Sequence, residues 1–281
     1  MVDIKHILVV TDLTNRSDRA LDRALGLADG CTVTLLHVIV AGLPDALKRR
    51  LISNIEAHLA EQVRAIKARP GIGDIHAVVV TGDPFGTIVR EAVTRGADLI
   101  VLGEPDRQRR EDLFVGSTAE RVVRSTDRPV LMVKRAGHGR YDRIAVAFEG
   151  SEASMRVLKT ALALSPDAEF RVTHAWWPPT AAMGIEDVLQ RGTREKNEQI
   201  KSEIARVAKE ATAGSGRPAP KLAFNFVEDN PYTVLRHDSD WADLLALGTH
   251  SKARLAMSTE IGRLARFMLA EAPCDVLVSP P

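Results

Sequence analysis

Cysteine is almost absent. Cys31 and Cys274 are the only two, they lie in opposite halves, and neither belongs to a C-x-x-C or Cys/His cluster. That excludes a disulfide framework and a structural zinc site, and it fits a reduced compartment. An excess of either charge is also lacking. Thirty-eight basic residues face 37 acidic ones, for a formal net charge of +1, so no bulk field directs the chain to nucleic acid or to an anionic membrane. No apolar run reaches transmembrane length. The start, MVDIKHILVVTD, has no basic opening, apolar stretch or small-residue cleavage site of a signal peptide. The cytoplasm is therefore the expected location, with no membrane and no nucleic acid as partner. Two enzyme motifs are missing as well. There is no G-x-x-x-x-G-K-S/T, which argues against a P-loop ATPase. There is no G-x-S-x-G elbow, because Ser117 follows Gly116 but lacks a glycine two residues on.

What is present is ordinary globular material, 45% hydrophobic and 27% charged over 281 residues, enough for one large or two ordinary domains. The material repeats with a period near half the length. Residues 4–12 match 141–149, each an apolar run ending in an acid, Asp12 or Glu149. The helix patterns at 17–25 and 154–162 carry apolar positions at three- and four-residue spacing. The next strands place His37 opposite His174. Long helical segments follow, one from Pro44 to a stop at Pro70-Gly71 and one from about Ile185 to Ala211. Third strands at 75–80 and 222–227 lead into Asp83-Pro84 and Asn230-Pro231, both helix starts. Ala97-Asp98-Leu99 matches Ala242-Asp243-Leu244, and the strand at 130–133 matches 276–278. Arg135 to Arg140 link the repeats. The expected domains are 1–136 and 140–281.

The most informative stretch runs from Asp98 to Lys134. Leu99 to Leu102 read as a strand ended by Gly103, a polar loop follows, Gly116-Ser117-Thr118 open a helix, and Pro129 precedes another strand. Strands alternating with helices imply a parallel sheet with right-handed crossovers, and ligands of such sheets sit beyond the carboxyl ends of the strands. A helix start with glycine and two hydroxyls suits a phosphate. The same residues also suit a plain helix cap.

Gly103-Glu104-Pro105-Asp106, nine residues, then Gly116-Ser117-Thr118 resembles the nucleotide signature of the universal stress protein family, G-x-x-G-(nine)-G-S/T. Spacing and outer glycines match, while Asp106 replaces the second glycine. The resemblance covers nearly the whole chain, because the domain appears twice. It implies an α/β fold of two tandem Rossmann-like (adenine nucleotide alpha hydrolase-like) domains. Each is a five-stranded parallel sheet of order 3-2-1-4-5 with helices on both faces, and the halves pair through their last strands. It also implies ATP or another adenine nucleotide, with Mg²⁺, and a homodimer. Mapped onto this chain, Val10, Thr11 and Asp12 face the adenine and ribose, and Val38 lines the adenine pocket. Leu102 and Gly103 border the ribose and phosphates, and Gly116, Ser117 and Thr118 hold the phosphates. Asp106 either repels a polyphosphate or helps hold Mg²⁺.

The second copy of the motif is degraded. Ser251 replaces the second glycine, ten residues precede Gly262, and Arg263-Leu264 stand where Ser/Thr is expected. That half is expected to bind nucleotide weakly or not at all. The remaining residues have blander readings. Arg107, Arg109 and Arg110 form a solvated loop face with Glu111 and Asp112. His37 and His174 are packed histidines with a hydrogen-bond partner rather than metal ligands. Both cysteines are packing residues rather than nucleophiles. Trp176-Trp177, notable at 4% aromatics, mark an interface, a lid or local packing. With no supported nucleophile or base, catalysis is limited to slow ATP hydrolysis by a bound Mg²⁺ and water. Two functions remain: a stress-response sensor holding an adenine nucleotide, or an interaction protein with empty clefts or another ligand.

Overall fold

The computed structural model describes residues 3–68, 73–105, 118–176, 186–213, 218–249 and 262–280. In chain order the first half contains β1 (His6–Thr11), α1 (Asn15–Leu27), β2 (Thr32–Val40), α2 (Asp45–Lys67), β3 (Ile75–Gly82), α3 (Pro84–Thr94), β4 (Leu99–Gly103), α4 (Thr118–Ser125) and β5 (Val130–Val133). The second contains β6 (Arg143–Ala147), α5 (Glu152–Leu164), β7 (Glu169–Trp176), α6 (Glu186–Thr212), β8 (Leu222–Glu228), α7 (Pro231–Trp241), β9 (Leu244–Gly248), α8 (Arg263–Glu271) and β10 (Asp275–Ser279). Local chemistry starts the α3 and α7 helices as the sequence predicts. Asp83 caps α3 by accepting from the Gly86 N–H, and Asn230 caps α7 by accepting from the Tyr232 N–H, each with proline at the helix start.

All ten strands form one sheet of order β3-β2-β1-β4-β5-β10-β9-β6-β7-β8. Within each half every pairing is parallel and the order is the expected 3-2-1-4-5. The halves join where β5 meets β10 antiparallel, with Leu131 opposite Leu277 and Val130 opposite Val278. Leu131 and Leu277 are equivalent residues of the two repeats, so a local twofold passes between them. It also brings together Glu120 on α4 and Arg266 on α8, again equivalent positions, as an ion pair at 3.6 Å. Two copies of either half could not form that pair.

Because side chains alternate across a strand, each strand serves two cores. Ile7 and Val9 belong to the core that runs under α1, α2, α5 and α6 on one face, whereas Leu8 belongs to the core under α3, α4, α7 and α8 on the other. Two equivalent carboxylates fasten the sheet. Asp98 accepts the His6 N–H at 3.0 Å, and Asp243 accepts the Arg143 N–H at 3.0 Å. Among the described residues no helix is long and apolar enough to cross a membrane.

Candidate nucleotide site in the first half

The carboxyl ends of β1, β2 and β4 meet in the first half, and the β1–α1 turn governs their shape. Leu13 adopts a left-handed backbone, φ +64°. The Leu13 N–H donates to Thr11 Oγ1 at 3.0 Å, and Thr11 Oγ1 lies 3.0 Å from Ser17 Oγ, which donates to the Thr14 carbonyl at 2.9 Å. Thr14 Oγ1 donates to Asp12 Oδ1 at 2.6 Å, and its N–H adds a bond at 3.2 Å. Burial alone would raise the Asp12 carboxyl, but the hydrogen bonds from Thr14 and Ser17 outweigh it and hold the group below its ordinary value. Asp12 is thus an exposed, ionised acceptor at the strand tip.

The second half repeats the turn. Ser151 Oγ donates to Glu149 Oε1 at 2.9 Å, and Gly150 takes the left-handed position at φ +79°. A left-handed residue with a side chain costs about 1–2 kcal/mol. A Cβ on Gly150 would meet nothing within 4 Å, so only the backbone penalty remains. Gly150→Ala is expected to lower stability by about 1 kcal/mol, whereas Leu13→Gly changes it less and with the opposite sign. Urea unfolding of both variants checks this.

The structure divides the sequence-predicted residues into three groups. Val10 and Val38 are half-buried at the strand ends on the α3 side, with Leu102 buried in the same core. They give an apolar lining beside Asp12. Thr11 and Gly103 have structural duties. The Thr11 hydroxyl is buried inside the turn. A Cβ on Gly103 would stand 2.7 Å from the Arg16 carbonyl oxygen, so glycine is what lets α1 start against the end of β4. Thr118 is the first residue of α4, while Asp106, Gly116 and Ser117 lie outside the described residues, as do Arg107, Arg109, Arg110 and Trp177. Among the described residues no group of three or more His, Cys, Asp and Glu side chains is set to hold a metal ion.

His37 and His174 are packed as expected, with partners the sequence did not name. His37 Nδ1 bonds the Thr11 carbonyl at 2.8 Å, and His174 Nδ1 bonds the Phe148 carbonyl at 2.6 Å. A carbonyl only accepts, so each Nδ1 carries a proton. Each histidine therefore holds a carbonyl at the carboxyl end of a central strand, Thr11 closing β1 and Phe148 directly after β6. His174 also stacks on Trp176 at 5.3 Å. Both thiols are buried. Burial raises the Cys31 thiol and pushes that of Cys274 up to about 12, so neither is a ready thiolate.

The positive φ of Leu13 was missed in the sequence. Its one signal was the repeat itself, which sets Leu13 opposite Gly150.

The model of the universal stress protein family matches residues 3–134 and again 140–280. A universal stress protein of Methanocaldococcus jannaschii is 30% identical over 141 residues, covering 47% of this chain and 82% of that protein. One from Thermus aquaticus is 33% identical over 141 residues, covering 46% of this chain and 98% of that protein. The crystal structure of a universal stress protein from Archaeoglobus fulgidus superposes over 98% of both chains, with a TM-score of 0.68 at 18% identity. That likeness bears on the fold alone.

Proposed function

The chain belongs to the universal stress protein family, and from that premise we propose that it senses an adenine nucleotide held by its first half. The two repeats, 1–136 and 140–281, act as separate domains of unequal ability. The observation that carries the reading is the apolar lining of Val10 and Val38 beside the ionised Asp12, at the carboxyl ends of the strands. An adenine ring fits the lining, and ribose hydroxyls fit the carboxylate as donors. Phosphates then reach toward α4, where Gly116, Ser117 and Thr118 supply backbone N–H and hydroxyl donors. If Mg²⁺ accompanies the phosphates, Asp106 is its ligand from the protein. The second half has Glu149 for Asp12 and Arg263-Leu264 for the hydroxyls, and is assigned no nucleotide. The protein works in the cytoplasm as a homodimer. Because β5 and β10 already pair within the chain, that dimer uses another surface.

The rival reading is an interaction protein without nucleotide. Thr11 and Gly103 favour it, since packing alone explains both. Mass spectrometry of small molecules released from freshly purified protein separates the two, followed by titration with ATP and Mg²⁺. About one adenine nucleotide per chain is expected. Gly116→Val is expected to abolish binding with the thermal midpoint unchanged. No nucleotide in either experiment establishes the rival, and two tight nucleotides per chain overturn the assignment of the second half.

A further inference from the structure

A row of polar side chains crosses the amino ends of β1, β2 and β3, at the opposite end of the strands from the candidate site. His6 Nδ1 bonds the Arg95 carbonyl at 2.9 Å, and His6 Nε2 lies 2.8 Å from Thr34 Oγ1. Thr34 is fully buried, and its Oγ1 lies 2.8 Å from His76 Nε2. The two imidazoles are 6.4 Å apart, centre to centre.

Hydrogen-bond logic fixes every proton in this row. The Arg95 carbonyl only accepts, so His6 Nδ1 carries a proton. In a neutral His6, Nε2 then accepts, and the Thr34 hydroxyl must donate to it. A hydroxyl has one proton, so Thr34 Oγ1 can only accept from His76, and His76 must carry its proton on Nε2. The two neutral histidines are therefore opposite tautomers. A first added proton goes to His76 Nδ1 and breaks no hydrogen bond of the row. A second would have to go to His6 Nε2. Two N–H groups would then point at Thr34 Oγ1, the buried hydroxyl would lose its acceptor, and two positive rings would face each other.

We propose that His6, Thr34 and His76 form a one-proton acid switch. The row accepts one proton intact, and the second releases the start of β3. β3 is an edge strand of the sheet, so among the described residues no strand pairs with its outer side. An open groove of about 530 Å³ along β3, lined by Glu56, Lys67 and His76, gives solvent access to His76.

The charges around the row are mixed. Glu91 of α3 pairs at 3.0 Å with Arg95, the residue that follows the helix, and Arg90 lies 3.8 Å from Glu91. Lys67 of α2 pairs with Asp74 ahead of β3 at 3.2 Å, while Glu56 lies farther along α2. Asp98 accepts the Lys5 and His6 N–H groups. Burial lowers the His76 pKa, Asp74 opposes that, and His6, Arg95 and Lys67 add to it. His76 therefore takes the first proton only below the ordinary histidine value, about 6.5, with a modest loss of stability as pH falls through that range and before the second proton arrives. The switch therefore works on the acid side of neutrality. In the second half, Arg143 and Arg171 stand at the positions of His6 and Thr34. Neither changes charge in this range, so the second half has no counterpart of this switch.

Nitrogen-15 NMR of the two imidazoles tests the proposal on the full chain, with amide hydrogen exchange of β3 followed from pH 8 to pH 5. Protonated Nδ1 in His6 and protonated Nε2 in His76 are expected at pH 8. Amides of Ala77 to Val79 are expected to exchange at least tenfold faster only once both rings are charged. Thr34→Val should let the two rings titrate independently. The same tautomer in both rings overturns the proposal. So does a doubly charged row with β3 protection unchanged. The wild-type tautomers decide the matter even if Thr34→Val does not fold.

Discussion

Asp275→Ala is expected to lower the stability of the chain by about 3–5 kcal/mol, the usual result of removing one partner from a buried ion pair. Asp275 is completely buried at the start of β10. Its Oδ1 accepts the Lys134 N–H at 2.8 Å and the Arg135 N–H at 3.0 Å. Its Oδ2 accepts the Tyr141 hydroxyl at 2.8 Å and lies 3.3 Å from Arg23 Nε. That guanidinium also donates to the Gly139 carbonyl at 3.0 Å and sits 4.4 Å over the Tyr141 ring. One carboxylate thus ties α1 of the first half and the inter-repeat linker to the last strand of the second. Removing it leaves a buried cation without its counter-charge, and two backbone N–H groups and a hydroxyl without their acceptor. Each orphaned polar group costs about 1–3 kcal/mol, but they relax together and do not add. Arg23→Met combined with Asp275→Leu should cost less than Asp275→Ala alone, because no uncompensated charge is left inside. Urea unfolding of the wild type and the two variants measures this. A loss below about 1 kcal/mol for Asp275→Ala would mean that water replaces the carboxylate and that the seam rests on its other contacts, β5–β10 pairing and the Glu120–Arg266 pair among them.

That carboxylate also marks where the sequence stopped being readable. The strand Leu99–Gly103 and the starts at Asp83 and Asn230 were legible, because an apolar run or a cap followed by proline is a local signal. The duplication was legible because it repeats such signals in order. Arg23, Tyr141 and Asp275 are far apart in the chain and carry no pattern, so only the folded seam assembles them. The same division holds at the candidate site. Asp12, Val10 and Val38 could be placed at strand tips from the pattern of apolar residues. The duties of Thr11 and Gly103 could not, because their partners, Ser17 and the Arg16 carbonyl, arrive only when α1 folds back over β4. His37 and His174 fall between, since packing with a hydrogen-bond partner was readable but the carbonyl each one holds was not.

Gly103→Ala and Gly248→Ala separate the packing duty of these glycines from any ligand duty. A Cβ at Gly103 would lie 2.7 Å from the Arg16 carbonyl oxygen and 3.1 Å from the Ser17 nitrogen. A Cβ at Gly248 would lie 2.8 Å from Ala153 atoms and 2.9 Å from the Ser154 nitrogen. In both halves the obstacle includes the backbone of a helix start, which cannot swing aside as a side chain does. Overpacking of this kind costs about 1–3 kcal/mol, so both variants should unfold at lower urea by similar amounts. Their effects on nucleotide should differ. At Gly103 the displaced segment is the start of α1, which carries the Asp12 turn, so affinity should fall at least tenfold. At Gly248 the affinity should be unchanged, because the second half is assigned no nucleotide. Calorimetric titration with ATP, run beside the unfolding curves, reads both quantities. Equal stability losses with unequal affinity losses would locate the nucleotide in the first half without using the glycine-rich loop at all. Equal affinity losses would mean either that both clefts are occupied or that the two halves move as one through the Asp275 seam, and Asp275→Asn, titrated in the same way, distinguishes these.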